Sequence, residues 1–407
     1  MLACSRIRGP KETMLTSLLL ALATQDPQGT VVVKGDTQIT LGGELRFRTE
    51  TRDPSPAVMG ADADTASHGR FRLSANAALN EHVRGFLQLQ EVVFTDGTAS
   101  VSMVRQAFGE LTGVADMADL QVGRFEMSYG DELLISPADW GPTGKSFDGI
   151  RVRRKDDWYW ADVFYVQPVE GQAVLAGVDQ SFGGIYFGIP RDDWSVEAYA
   201  LVRDDRSDGG TGTDDMTFGG RFRWAQKDGV ALRVEAAQQS GDHGALDAGG
   251  MVATGDIGTP VGEDFNVGLN VLYATGDDDA ADGNDDAFKP LFESPHKILG
   301  YQDLFRLTNV LDTQIYAGYR INGNWRLYGA FHLLSLAEDN GVLPDLKGGL
   351  VGAAGESNLG MEVDLTLRGK VFEEADLWLG VSEFLAGDAI ANGDDQLWAF
   401  VQLMLGF

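Results

Sequence analysis

The sequence predicts an all-β chain, a single transmembrane antiparallel β-barrel of about 18 strands. Three observations carry that expectation. From residue 36 onward, segments of roughly 9–12 residues alternate polar and apolar side chains, as strands with two different faces do. The connections between these segments alternate short and long, as they do at the two ends of an outer-membrane barrel. No run of about 18 apolar residues occurs, so no helix is long enough to span a bilayer.

Composition agrees. The chain has 407 residues, with Lys+Arg 32 against Asp+Glu 61 and a net charge of −29. Nucleic-acid binding needs a basic footprint, which this balance denies. A hydrophobic content of 43% permits a folded core. At the amino end, Arg6, Arg8 and Lys11 precede the short apolar stretch MLTSLLLALA (14–23), which closes on Ala21-Leu22-Ala23. Residues 1–23 therefore read as a secretory signal peptide, whether translation starts at Met1 or Met14, and 24–407 as one barrel domain. The lone cysteine, Cys4, leaves with that leader. The mature chain has no disulfide, thiolate metal site or Cys nucleophile.

Along the chain, 37–50 sets Ile39, Leu41, Leu45 and Phe47 against Gln38, Thr40, Glu44, Arg46 and Arg48. Segment 69–79 repeats the pattern with Phe71 and Leu73 against Arg70 and Arg72, and 217–224 with Phe218 and Phe222 against Arg221 and Arg223. In 359–368, Met361, Val363 and Leu365 oppose Glu362, Asp364, Thr366 and Arg368. Short connections fall at 80–81, 155–157, 190–193, 227–229 and 322–324, all tight hairpin signals. Long ones fall between them, at 51–68, 127–146, 203–214, 276–309 and 337–356. Trp158, Trp194, Trp224 and Trp325 cluster beside short turns, as an interfacial girdle would. The last segment alternates Leu397, Ala399, Val401, Leu403 and Leu405 and ends at Phe407, a closing strand of the kind the barrel-assembly machinery recognises.

Acidic residues concentrate in the expected outer loops, at 204–215, 276–286 and 392–395. Solvation explains such runs, and none has ordered calcium-loop spacing, so no metal site is assigned. The arginines instead fall on the polar strand face: a lipid-facing Arg at mid-membrane costs about 2–4 kcal/mol, which turns them to the lumen. Two readings stay open. Cross-strand pairing with Glu44, Asp162, Glu362 and Asp364 would merely build a polar wall, whereas unpaired forks would guide an anion. Of the five histidines only His332 is placed on the lumen face, and no GxSxG or HExxH motif occurs. The chain is read as a non-enzyme with no cofactor.

One stretch is more specific. Arg105-Gln106-Ala107-Phe108, Val122-Gly123-Arg124-Phe125-Glu126, Ser128-Tyr129-Gly130-Asp131, Asp139-Trp140 and Ser146-Phe147-Asp148-Gly149-Ile150-Arg151 together resemble the core of the alginate-export family of outer-membrane barrels. Residues 304–318 and 383–388 are similar to its later strands. The family's Gly-Arg-Gln strand end reads Gly-Arg-Phe here, without the glutamine. The resemblance implies an 18-stranded barrel with an electropositive pore and, in founding members, export of a polyuronate. Arg46, Arg48, Arg151, Arg153, Arg221 and Arg223 are the expected substrate path, paired two positions apart on one face. Arg124 and Lys145 join them, the latter if the 127–146 loop folds inward. The expected function is passive passage of an anionic solute, an acidic polysaccharide such as alginate or a sugar acid, across the outer membrane of a Gram-negative-type bacterium. A general diffusion porin and a largely closed structural barrel are the alternatives. Partners are outer-membrane lipid and lipopolysaccharide, the assembly machinery and the solute.

Overall fold

The computed structural model describes residues 30–34, 37–53, 64–95, 100–170, 180–206, 212–279, 281–346 and 350–407. The expected leader, 1–23, lies outside them. Eighteen antiparallel strands form one closed wall. The first nine are β1 (Thr37–Asp53), β2 (Asp64–Ala78), β3 (Val83–Phe94), β4 (Ser100–Val114), β5 (Ala118–Phe125), β6 (Lys145–Lys155), β7 (Trp160–Glu170), β8 (Gln180–Pro190) and β9 (Trp194–Asp205). The rest are β10 (Thr213–Ala225), β11 (Ala231–His243), β12 (Met251–Val261), β13 (Phe265–Ala274), β14 (Val310–Arg320), β15 (Trp325–Ser335), β16 (Asn358–Phe372), β17 (Ala375–Ala386) and β18 (Gln396–Gly406). Each pairs with its sequence neighbours. β1 also pairs with β18, from Glu44 opposite Gly406 to Asp53 opposite Leu397, which closes the barrel and removes both sheet edges. Phe407 completes the seam. Its backbone exchanges hydrogen bonds with Gly43, and its ring lies where a Cβ on residue 43 would stand, 2.2 Å from Cζ.

Even-to-odd connections span two to five residues, whereas 126–144, 275–309 and 336–357 leave the other end. Outward positions are apolar and exposed, including Leu45, Phe47, Phe71, Val163, Tyr165, Ile185 and Phe218. Trp194 and Trp224 are direct cross-strand partners beside the short turns. The strands run further than their sequence suggests at two places. The expected loop 51–68 is shortened because β1 continues to Asp53 and β2 begins at Asp64, which puts His68 in the wall, buried, and not in a loop. The expected loop 203–214 is shortened by Arg203 pairing with Asp215 across β9 and β10, so the ladder persists through a run that reads as acidic loop. His243 ends β11 between Asp215 and Asp285, and His296 lies buried in a short helix, α1 (Pro295–Ile298). Of the four histidines expected in loops or turns, His68 and His296 are thus buried and His243 is half-buried.

The core sits inside the barrel. Loops 126–144 and 275–309 enter the lumen and bridge each other at Ile135 and Phe292; Phe305 bridges Asp345, and Gly352 bridges Ile390. Met127, Leu133, Leu134, Ile135, Phe288, Phe292, Leu304 and Phe305 pack there against the inward-facing Phe147, Phe164, Phe182 and Leu201 of the wall. The lumen is therefore apolar where loops dock and polar elsewhere, a departure from the uniformly polar interior expected.

Candidate functional site: an arginine-lined lumen

The loop that narrows the lumen is held by arginines. From β1, Arg46 donates to the Asp139 and Gly141 carbonyls at 2.7 and 2.8 Å, and Arg48 to the Trp140 carbonyl at 2.9 Å. The Arg48 guanidinium also lies 4.0 Å from the centroid of the Trp140 ring. From β2, Arg70 and Arg72 reach the Asp139 carboxylate at 3.0 and 2.7 Å. From β4, Arg105 bonds Glu126, Ser146 and the Pro137 carbonyl. Backbone carbonyls left without a sheet or helix partner are costly to bury, and Arg46, Arg48, Arg70 and Arg105 satisfy them here while Arg72 holds the Asp139 side chain. Arg46 and Arg48 of the expected path are thus committed to the loop.

Arg221 is committed too, with Asp131 of the same loop at 2.8 Å and Glu197 at 3.1 Å. Arg153 makes a two-point pair with the fully buried Asp162, which also accepts from the Tyr129 hydroxyl at 2.7 Å. Burial and Asp162 push that phenol up, so it stays a donor. Lys145 opens β6 with its ammonium 5.9 Å from the Phe292 ring. Arg124 departs from expectation. On β5, Gln121 and Phe125 are buried inward while Val122 is half exposed, so Arg124 shares the outer face. It pairs there at two points with Asp148 of β6 and donates to the Val104 carbonyl. A neutralised pair near the long-loop end of the wall is tolerated where a bare charge at mid-membrane is not.

Four guanidinium groups differ from these. Arg151, Arg223, Arg326 and Arg368 face the lumen, and among the described residues none has a carboxylate within ion-pair distance. Arg151 bonds the Gln121 amide oxygen, at 2.6 Å, reaches toward the Tyr129 hydroxyl, and lies over Phe125, the residue that replaces the glutamine of the family pattern. Arg368 lies over Trp378 at 5.2 Å. Arg326 and Arg368 are direct cross-strand neighbours, and Arg223 stands opposite Arg233. Like charges in that position repel. Arg223, Arg326 and Arg368 lie toward the short-turn end, which faces the periplasm in such barrels. Arg151 and Arg223 were expected from the sequence, whereas Arg326 and Arg368 were not singled out. Their only signal was position on the polar face.

A cavity of about 750 Å³ lies between the loops and these strands. Arg46, Arg70, Arg221, Arg233 and Arg368 line it, with Asp131, Asp139, Glu235 and Asp256. On β14–β16, His332 sits 2.8 Å from Asp312 and 3.1 Å from Gln314, and Glu362 accepts the Gln302 amide at 3.0 Å. That group anchors loop 275–309 to the wall. In the outer loop, Asp277, Asp278 and Asp286 bring carboxylate oxygens within 4.8 Å, an arrangement exposed acids commonly adopt without an ion.

A closed, lumen-occluded antiparallel barrel of this size is an outer-membrane channel of the porin type. The model of the alginate export family matches residues 37–402, and the chain belongs to that family. No curated protein matches it. Among solved structures it is similar to three Pseudomonas aeruginosa proteins. OccK9 (OpdG) has 11% identity and TM-score 0.66, over 91% of this chain and 98% of that one. OpdL has 13% and 0.65, over 91% and 98%. OpdK, solved with vanillate, has 11% and 0.65, over 90% and 98%. Identities this low establish the shared fold and leave selectivity to the residues themselves.

Proposed function

We propose that this outer-membrane channel passes an anionic solute by diffusion, with an acidic polysaccharide or a sugar acid as the solute class. The observation that carries the reading is the set of lumen arginines without carboxylate partners, Arg151, Arg223, Arg326 and Arg368. A wall needing only stability would pair them, as it pairs Arg153 and Arg221. Each free fork presents up to five N–H donors to a carboxylate. Arg46, Arg48, Arg153 and Arg221 act in this reading by fixing the constriction, with Lys145 seated on its aromatic side. OpdK, of the same fold, holds vanillate, an anion. The same reading has the leader 1–23 removed on export and β18 delivering the barrel to its assembly machinery. Single-channel recording across a salt gradient tests it. The wild-type reversal potential should favour chloride over potassium, and Gln at all four positions should move it toward zero. An unselective wild type would make this a general diffusion porin, and a non-conducting one a structural barrel.

A further inference from the structure

The cavity has a second chemistry that charge does not account for. Trp140, Trp378, Tyr301, Tyr328 and Tyr316 all line it, each half-buried. Their rings form one continuous series, with centroids 5.3 Å apart from Trp140 to Trp378 and 6.3 Å from Trp378 to Tyr301. Tyr301 to Tyr328 is 6.4 Å, and Tyr328 to Tyr316 is 6.2 Å. The series runs from the inward loop 126–144, across β17 and loop 275–309, to β15 and β14. The wall makes room for its far end: a Cβ on Gly268 would stand 2.2 Å from Tyr316 Cζ, so the ring lies flat on β13 with its other face to the lumen. Trp140 closes one end of the series, because Arg48 at 4.0 Å and the stacked His296 ring at 3.6 Å cover its two sides, and His296 also stacks on one face of Tyr301. A plain hydrated pore gains nothing from the faces that remain, because each presents apolar surface to water.

We infer that this series is a stacking lane for saccharide rings, and that it makes the channel select a cyclic sugar acid over an acyclic anion of equal charge. The inference rests on the anion-channel reading and adds the shape of the solute to it. The negative face of an aromatic ring attracts the C–H groups on one face of a pyranose, while hydroxyls and carboxylate point away from it. Arg368, over Trp378 and free of any carboxylate among the described residues, borders the lane where a uronate's carboxylate would then lie. Arg233 and Asp256, paired on β11 and β12, offer partners for hydroxyls in the same cavity.

The test uses the whole channel in planar bilayers, with trigalacturonate and the acyclic tricarballylate as blockers carrying the same number of carboxylates. Wild type should be blocked at about tenfold lower trigalacturonate than tricarballylate, a 1.4 kcal/mol preference. Tyr316→Leu with Tyr328→Leu should abolish that preference and leave tricarballylate block and reversal potential unchanged. Tyr316→Leu serves as a single-site version should the double variant not assemble. Equal block of wild type by both anions overturns the lane, as does a preference that survives the substitutions. If wild type shows no anion selectivity, the charge reading fails alone. Neutral maltotriose then reports on the lane: block that the variants lose supports it, and no block overturns it.

Discussion

Arg151 and Arg153 stand two positions apart on one face of β6, yet their surroundings give them different work. Arg153 neutralises Asp162, a carboxylate with no exposure, and through it fixes Tyr129 of the inward loop. Arg153→Gln would leave that buried charge with only a phenol, and should cost about 3 kcal/mol. Its barrel should unfold to the slow-migrating form at lower temperature in detergent electrophoresis. Arg151 holds no carboxylate, bonding an amide oxygen beside the Tyr129 hydroxyl and lying over a ring, so Arg151→Gln should keep the wild-type unfolding temperature and lower anion preference. Equal thermal loss in both variants would make Arg151 structural. Asp139 gives a pH dependence. Burial raises its carboxyl, but Arg70 and Arg72 outweigh burial, with Arg46 also near, and hold it below the ordinary range. A depressed carboxyl stabilises fully above the ordinary value of about 3.9 and loses that contribution as pH falls through its folded value. The constriction should thus stay clamped at neutral pH and loosen below about pH 4, seen as larger, noisier conductance. Asp139→Asn should show the loosened trace already at pH 7.

At the scale of elements, the wall was legible and the loops were not. Period-2 alternation names the outward face of every strand it covers, because lipid tolerates little else there. Connection lengths then order the strands. Inside, the same rule fails for β6 to β8, where Phe147, Phe164 and Phe182 point inward. Their apolar partners lie more than a hundred residues away in 275–309, and no local pattern records a loop's path. Arg46 and Arg48 were recognised as lumen-facing, but the carbonyls they bind depend on where loop 126–144 lands. Arg124 shares its face with Val122, two positions before it; polarity argued for the lumen, and its outer partner Asp148 comes from the next strand. The loop core yields a prediction. Phe292 meets Phe147 and Phe182 edge to face at 5.1 and 4.8 Å. Phe292→Ala should destabilise the loop pair by about 3–5 kcal/mol. Since β-strand pairing is untouched, the barrel should keep its detergent resistance while the loops become sensitive to added protease and conductance rises. A variant that fails to fold would show instead that the loops are part of the barrel's own stability.

Across the whole molecule, it is the lumen's unpaired arginines that are sorted by end. Acids mark both rims, the long loops at 204–215, 276–286 and 392–395 and the short turns at Glu81, Asp116, Asp156, Asp157, Asp192, Asp193, Asp228, Glu263, Asp264, Glu373 and Glu374, while Arg223, Arg326 and Arg368 lie inside the lumen toward the short turns. The sorting matters because a field inside a low-dielectric wall is screened less than one in open solution. Small anions that pass the short turns meet the unpaired arginines at once, whereas those approaching from the loops must first cross the acidic loops and the constriction. The open-channel current should therefore rectify, with anions moving more readily from the short-turn side inward than in reverse. Orientation in the bilayer can be fixed with Asp282→Cys in a chain whose only native cysteine is Cys4, by adding an impermeant thiol reagent to one chamber. Exposed charges more than a Debye length away are screened, and that length shrinks from about 10 Å at 0.1 M salt to 3 Å at 1 M. Rectification should accordingly be strong at 0.1 M and nearly vanish at 1 M. Replacing the aspartates of 276–286 by Asn should weaken it by removing repulsion at the loops, and Gln at Arg223 and Arg326 should weaken it by removing attraction inside the short turns. If both changes leave the current asymmetric to the same degree, asymmetry comes from the shape of the constriction, and the sorted charges serve only to keep the two ends solvated.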